Sequence, residues 1–250
     1  MRSGAVPVRL AGFVLAVAVA ATGCSLELDG GGGGGGDSGG GPDGGARGAP
    51  GSAVAAVDEL AVKGRAPRTG YDRDRFGSPW VDTDSNGCGT RDDILRRDLT
   101  EVRSGGGDRC RVMSGTLARD PYSGRDVAFR RGASRVDIDH VVALSDAWQK
   151  GAAKWDRGKR VAFANDPLNL LAVGSRPNRA KGDGDTATWL PPNKAYRCAY
   201  VARQVAVKRK YRLWVTAPER SAMRRVLDGC PSESLPKGGN PTKAPQRYAR

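Results

Sequence analysis

From Gly30 to Gly48 the chain is mostly glycine, with Asp, Ser and Pro between. Such a stretch cannot bury enough apolar surface to offset the entropy of ordering it, so it is expected to be a flexible tether. It divides the 250 residues into a short leader and a block of roughly two hundred, enough for one domain with its own core. Upstream of it stand Arg2 and Arg9, an apolar run from Leu10 to Ala21, then Thr22-Gly23-Cys24. A basic start, a short apolar core and small residues before a cut describe a secretory signal. The run falls short of the ~20 residues that a membrane crossing needs.

Ala21-Thr22-Gly23-Cys24 also resembles a bacterial lipobox, in which the cysteine is lipidated and becomes the first residue. Residues 1–23 are therefore expected to be a lipoprotein-type signal, 24–55 a tether from lipidated Cys24, 56–230 the domain, and 231–250 a disordered basic tail. A lipid on Cys24 would leave Cys88, Cys110, Cys198 and Cys230, an even number suited to an oxidising compartment. Of three possible pairings, Cys88–Cys110 and Cys198–Cys230 are favoured. The first closes a helix-containing loop, and the second joins one end of a helical hairpin. A four-cysteine zinc site is disfavoured, because no two cysteines have C-x2–4-C spacing.

Lys and Arg number 41 against 27 Asp and Glu, a net charge of +14, and removing the leader takes only Arg2 and Arg9 from that surplus. The excess favours polyanions without choosing among nucleic acid, anionic lipid and acidic wall polymers. No G-x-x-x-x-G-K-[ST] phosphate loop and no G-x-S-x-G nucleophile elbow occurs. Asp82, Asp84 and Asn86 have the look of a calcium loop, but the later glutamate is missing, and a surface loop is the better reading. Thr90 is expected to cap a helix over 91–99, with Asp92 and Asp93 in its first turn. Strands are expected at 110–117, near 127–129 and at 135–142, forming one antiparallel sheet. A helix then carries Leu144, Ala147, Trp148, Ala152 and Trp155, and a short one ends at Ala164. A buried strand over 168–173 and a short helix with Asn178 and Lys181 follow. Last come a long helix over 194–215 and another opened by a Thr216-x-x-Glu219 capping box.

Asp137-Ile138-Asp139-His140-Val141-Val142 holds the only histidine. With Asn169-Leu170-Leu171 and Asn178-Arg179-Ala180-Lys181 it gives the order strand with Asp-His, strand with Asn, turn, helix with Asn. These residues resemble the HNH (His-Me finger) endonuclease motif. The wider frame of Gly87-Cys88, Asp120-Pro121-Tyr122, Ala164 to Pro167 and Trp189 to Pro192 resembles secreted relatives of the GmrSD-type C-terminal domain. The resemblance implies an α+β fold: a ββα-metal finger in a small antiparallel sheet, flanking helices and a C-terminal helical hairpin.

It also implies roles. His140 would be the general base, suited by an imidazole pKa near neutrality. Asp139 and Asn178 would bind a divalent cation, Mg2+ first and Mn2+ as an alternative. Asn169 would hold the histidine-bearing segment, and Arg179 and Lys181 would meet phosphate. Asp137 is a second acidic ligand or a structural partner. Neighbours on a strand point to opposite faces, so Asp139 and His140 can serve one site only where the strand ends and they flank the phosphate. Asn178 stands where many relatives have His, and Ala143 where Pro is common.

The expected function is low-specificity, metal-dependent cleavage of DNA, with RNA open, by a secreted or lipid-anchored protein that touches membrane only through its anchor. A monomer is the default. The competing reading is a catalytically inactive envelope lipoprotein that binds polyanions.

Overall fold

In the computed structural model the described residues are 49, 51–133 and 135–249, all within one compact unit, Gly44–Arg250. The signal, the lipobox with Cys24 and the whole Gly-rich run lie outside them. Among the described residues no helix is long and apolar enough to cross a membrane.

Helix α1 (Ala53–Asp58) opens the unit, capped by Ser52, and buries Ala53, Val54 and Val57. These residues were expected to be tether or its immediate border. The small apolar run Ala-Val-Ala-Ala-Val is what docks them instead. A 3-10 turn, Arg73–Phe76, buries Phe76. Helix α2 (Thr90–Asp98) follows, but Gly89, not Thr90, occupies its N-cap. The Thr90 hydroxyl instead donates to the Val81 carbonyl at 2.6 Å. The Asp82–Cys88 loop closes on itself, with the Asp82 carboxylate accepting from the Asn86 and Gly87 backbone amides.

Strands β1 (Thr100–Gly105), β2 (Asp108–Leu117) and β3 (Val127–Arg130) make an antiparallel sheet in that order. Strand β4 (Val136–His140) does not extend it. It pairs antiparallel with β5 (Leu170–Gly174) as a separate two-stranded sheet, Val136 opposite Gly174 and His140 opposite Leu170. The single expected sheet is thus two. The apolar run Leu-Leu-Ala-Val makes β5 the natural partner, because β4 and β5 are both covered on two faces. Ile138, Leu170 and Ala172 pack with Ile94, Leu95, Val112 and Phe129. Val141, Leu171 and Val173 pack on the other side with Tyr200, Val205 and Met223. The free edge of β5 is closed by α2: Asp98 accepts from the Ala172 amide at 2.8 Å, and Arg97 donates to the Pro167 and Leu170 carbonyls.

After β4 come α3 (Leu144–Gln149), α4 (Arg157–Ala164), α5 (Ser175–Lys181), α6 (Arg197–Tyr211) and α7 (Ala217–Leu227). The helix expected through Trp155 stops at Gln149. Gly151 sits at φ 132°, a conformation L side chains rarely adopt, and a separate 3-10 turn, Ala152–Lys154, follows. The Thr216–Glu219 capping box is present in both directions. Cys88–Cys110 and Cys198–Cys230 are both bonded, with Cα separations of 5.3 and 6.4 Å. The tail does not hang free. Ala244 is buried against Val161 and Ala162 of α4, and Asn240 bonds Asp166, Thr83 and Lys210. Its prolines and glycines confine regular structure to one short helical turn, Gln246–Ala249, without preventing docking.

Two lysines are completely buried. Lys150 Nζ reaches Asp146 at 2.6 Å, Asp185 at 2.8 Å and Glu219 at 2.7 Å, and Lys208 Nζ reaches Asp146 and Glu219 at 3.1 and 2.9 Å. Arg65 adds a third cation against Asp146 and Asp185. Three cations thus meet three carboxylates, tying α3, α6, the start of α7 and the loop after α5 together. Replacing one lysine leaves three buried carboxylates facing two cations, one negative charge uncompensated. Lys208→Met is therefore expected to lower unfolding free energy by about 3–5 kcal/mol, measured by urea denaturation. Loss of either disulfide should cost about 2–4 kcal/mol in the same assay.

Candidate active site

The β4–β5 register decides where the motif side chains go. Asp139 lies opposite Leu171 and shares its face; His140 lies opposite Leu170 and turns to the other. The two come together only at the open edge and end of β4. There a cleft is lined by Asp139, His140, Asn178, Arg73, Tyr71 and Asp183.

Asn169 sits just before β5 and is fully buried. Its Oδ1 accepts from the Val142 amide at 2.9 Å, its Nδ2 donates to the Val142 carbonyl at 3.2 Å, and its own carbonyl accepts from Val141 at 2.8 Å. One asparagine thus continues the β4–β5 pairing past the end of β4 and fixes the backbone that follows His140.

His140 is 7% exposed. Its Nε2 lies 2.8 Å from the carbonyl oxygen of Ala164, the last residue of α4. A carbonyl only accepts, so Nε2 carries the proton and Nδ1 keeps its lone pair. The Trp80 ring lies nearly parallel, 15° off with centroids 6.3 Å apart. Burial disfavours the imidazolium and draws the pKa down to about 3, against the opposing pull of the Ala164 bond, with Arg73 and Lys181 adding to the depression. His140 is accordingly neutral throughout the physiological range, and its pKa lies well below the near-neutral value expected of it, because the sequence does not reveal how deeply the ring is buried.

Asp139 is held by two donors: Tyr122 Oη at 2.5 Å and Lys181 Nζ at 2.9 Å. Lys181 also donates to the His140 carbonyl at 2.8 Å. Burial raises the Asp139 pKa, opposed by Lys181 and Tyr122. Lys181, expected on the surface to meet phosphate, is 3% exposed. From the last turn of α5 its stem points back under β4, and its charge is held by Asp139. Arg179 is exposed on the same helix. Asn178 approaches Asp137 rather than Asp139, donating from Nδ2 to Oδ2 at 3.1 Å.

The donors at this edge are therefore oxygens of Asp137, Asp139 and Asn178. Among the described residues no group of three or more His, Cys, Asp and Glu is placed to hold a metal ion. Two carboxylates and one amide are too few to cage a cation. Oxygen donors are the type that hard divalent ions take.

Four contributors were given no role by the sequence: the Ala164 carbonyl, Tyr122, Trp80 and Arg73. Tyr122 and Ala164 belonged to the wider family frame without an assigned part, and Trp80 was visible only as the start of a polar loop. Arg73 is exposed, forms no ion pair among the described residues, and lines the cleft beside His140. Only its charge could have marked it, among 41 Lys and Arg.

A family model described as the C-terminal domain of GmrSD restriction endonucleases matches residues 89–226. The chain belongs to this family. The match runs from the start of α2 nearly to the end of α7, so this GmrSD C-terminal domain includes every motif residue from Asp137 to Lys181. Arg73 and Trp80 precede it. A protein of Arthroderma benhamiae called an uncharacterized secreted protein is 42% identical over 181 residues, covering 72% of this chain and 85% of that protein. No solved structure matches.

The depressed pKa has a sign. Between pH 6.5 and about 3 the unfolded chain binds a proton at this histidine that the folded domain does not. The contribution is complete above pH 6.5 and is lost as pH falls toward 3. Denaturation across that window should show a shallower pH dependence for His140→Gln than for the wild type. Parallel curves would contradict a buried neutral imidazole.

Proposed function

We propose that this domain is a metal-dependent endonuclease of the HNH type that hydrolyses phosphodiester bonds with little sequence specificity, using His140 as general base. The observation that carries the reading is the His140–Ala164 contact. It commits the proton to Nε2, so Nδ1 of a neutral ring is left to take a proton from water. Membership of a restriction endonuclease domain family supports nuclease chemistry and nucleic acid as the substrate class.

In this scheme β4, β5 and α5 serve as the ββα finger. Asp139 and Asn178 hold the cation, with Asp137 beside Asn178 as a further oxygen donor. A bound divalent ion would neutralise charge on the phosphate and stabilise the leaving oxygen. Lys181 offsets the charge of Asp139 and holds it in place from behind. Asn169 keeps the His140 segment from shifting as the imidazole gains and returns its proton. Arg73 and Arg179, both exposed, neutralise phosphate oxygens on either side of the cleft. Their contacts carry no base information, which agrees with low specificity.

The two disulfides and the secreted relative support an extracellular setting. Within that setting we propose export by the N-terminal leader, with Cys24 lipidated so that the Gly-rich segment tethers the domain to the cell surface. The protein would act there as a monomer on DNA, with RNA a second substrate.

Purified protein with supercoiled plasmid and Mg2+ or Mn2+ tests the reading. Nicking that EDTA abolishes is expected, and plasmid that persists equally with and without metal would overturn it. His140→Ala should lose about 100-fold or more of the rate while keeping salt-sensitive DNA binding, measured by gel shift. An active alanine variant would remove His140 from the mechanism.

A further inference from the structure

His140 separates two concavities. One is the cleft with Asp139 and Asn178; the other is an open recess of about 80 Å3 that also has His140 in its lining. The walls of the recess are largely apolar and aromatic: Phe76, Pro79, Trp80 and Leu144, with Arg73 at its mouth and Asn165 within its lining. Nothing in phosphodiester hydrolysis itself requires an apolar slot against the general base.

Three features make the recess a binding site rather than a packing gap. The Trp80 ring is flat, half-buried and nearly parallel to His140, and it is held on its way out of the turn by Gly77. Gly77 has φ 84°, and a Cβ there would fall 2.6 Å from Val161, so this wall admits glycine alone. Second, Asn165 is 1% exposed, and its Nδ2 is committed to the Val161 carbonyl at 3.0 Å. Its Oδ1 is thereby fixed as an acceptor and has no hydrogen-bond partner among the described residues. A ligand N–H would supply the partner that this buried amide oxygen lacks. Third, Arg73 lines both concavities, so a phosphate held between Arg73 and His140 has its attached nucleoside at the mouth of the recess.

We propose that this recess takes the nucleobase next to the scissile phosphate, stacking it on Trp80 and accepting one of its N–H groups at Asn165 Oδ1. The inference deepens the nuclease reading and rests on it for the placement of the phosphate. A base inside a duplex cannot enter without leaving its stack. The site therefore selects single-stranded or locally unpaired nucleic acid. Every base has a π-face, and each carries an N–H in reach of an acceptor, so the slot favours unpaired strands without reading sequence strongly.

The test is binding in EDTA, read by fluorescence anisotropy, so that an absence of hydrolysis would count against the nuclease reading alone. Two single strands of equal length and charge are compared: an oligodeoxyadenylate and its fully abasic counterpart. Wild-type protein should bind the first about tenfold more tightly or better. Trp80→Ala should bring the two affinities together, and Trp80→Phe should keep most of the difference. An oligomer of unsubstituted purine, which lacks the exocyclic amine, should bind less tightly than adenine in wild type but equally in Asn165→Leu. Equal wild-type affinities for the intact and abasic strands would overturn the inference. So would an unchanged ratio in a Trp80→Ala protein that melts like the wild type. The wild-type comparison decides even where that variant does not fold.

Discussion

Everything at the site depends on the antiparallel pairing of β4 with β5 inside the protein. The two strands are covered on both faces, by α2 with the three-stranded sheet on one side and by α1, α6 and α7 on the other. Their register cannot slip by a residue without turning buried Ile138 and Leu170 to the wrong layer. Asn169 then extends the pairing past the last strand residue with three hydrogen bonds to Val141 and Val142. Asp139 and His140 are adjacent in sequence yet belong to different layers, so one side chain is tuned by Lys181 and Tyr122, the other by Ala164 and Trp80.

That burial sets the chemistry. Water is removed from around His140, so the imidazolium is disfavoured and the ring is neutral without help from a neighbouring carboxylate. The same desolvation makes a lone Asp139 costly, and a lysine four residues short of Asp185 is drawn inside to compensate. Lys181 and Lys150 are therefore neighbours in a strategy, each a long aliphatic stem carrying a charge to a buried carboxylate. Replacement of such pairs by apolar side chains is often neutral for stability. Here the carboxylate of Asp139 faces the cleft, which gives its ion pair a use that stability alone does not require.

Local signals were readable in the sequence wherever neighbours along the chain decide the outcome. The Thr216–Glu219 capping box is one case. The Cys198–Cys230 pair at one end of a helical hairpin is another, because a short connection forces the helices back on each other. The motif strand and its Asn partners were legible as a pattern of types in order. What stayed hidden depends on distant packing. Lys181 reads as a surface cation by composition, and only the fold reveals a carboxylate within reach of its stem. Residues 231–249 read as disordered from Pro, Gly and Lys, yet Asn240 and Ala244 dock because Asp166 and α4 offer them partners. Trp80 and Arg73 reach His140 from some sixty residues upstream, through a loop with no periodicity to read.

The central claim is that His140 is a buried neutral imidazole with its proton on Nε2 and its lone pair on Nδ1. Because it is the only histidine, 15N-labelled protein gives a single imidazole spin system in a long-range 1H–15N spectrum. At pH 7 the protonated-type nitrogen shift should fall on Nε2 and the unprotonated type on Nδ1, unchanged down to pH 5. A proton on Nδ1, or averaged shifts that move through a midpoint near 6.5, would contradict it.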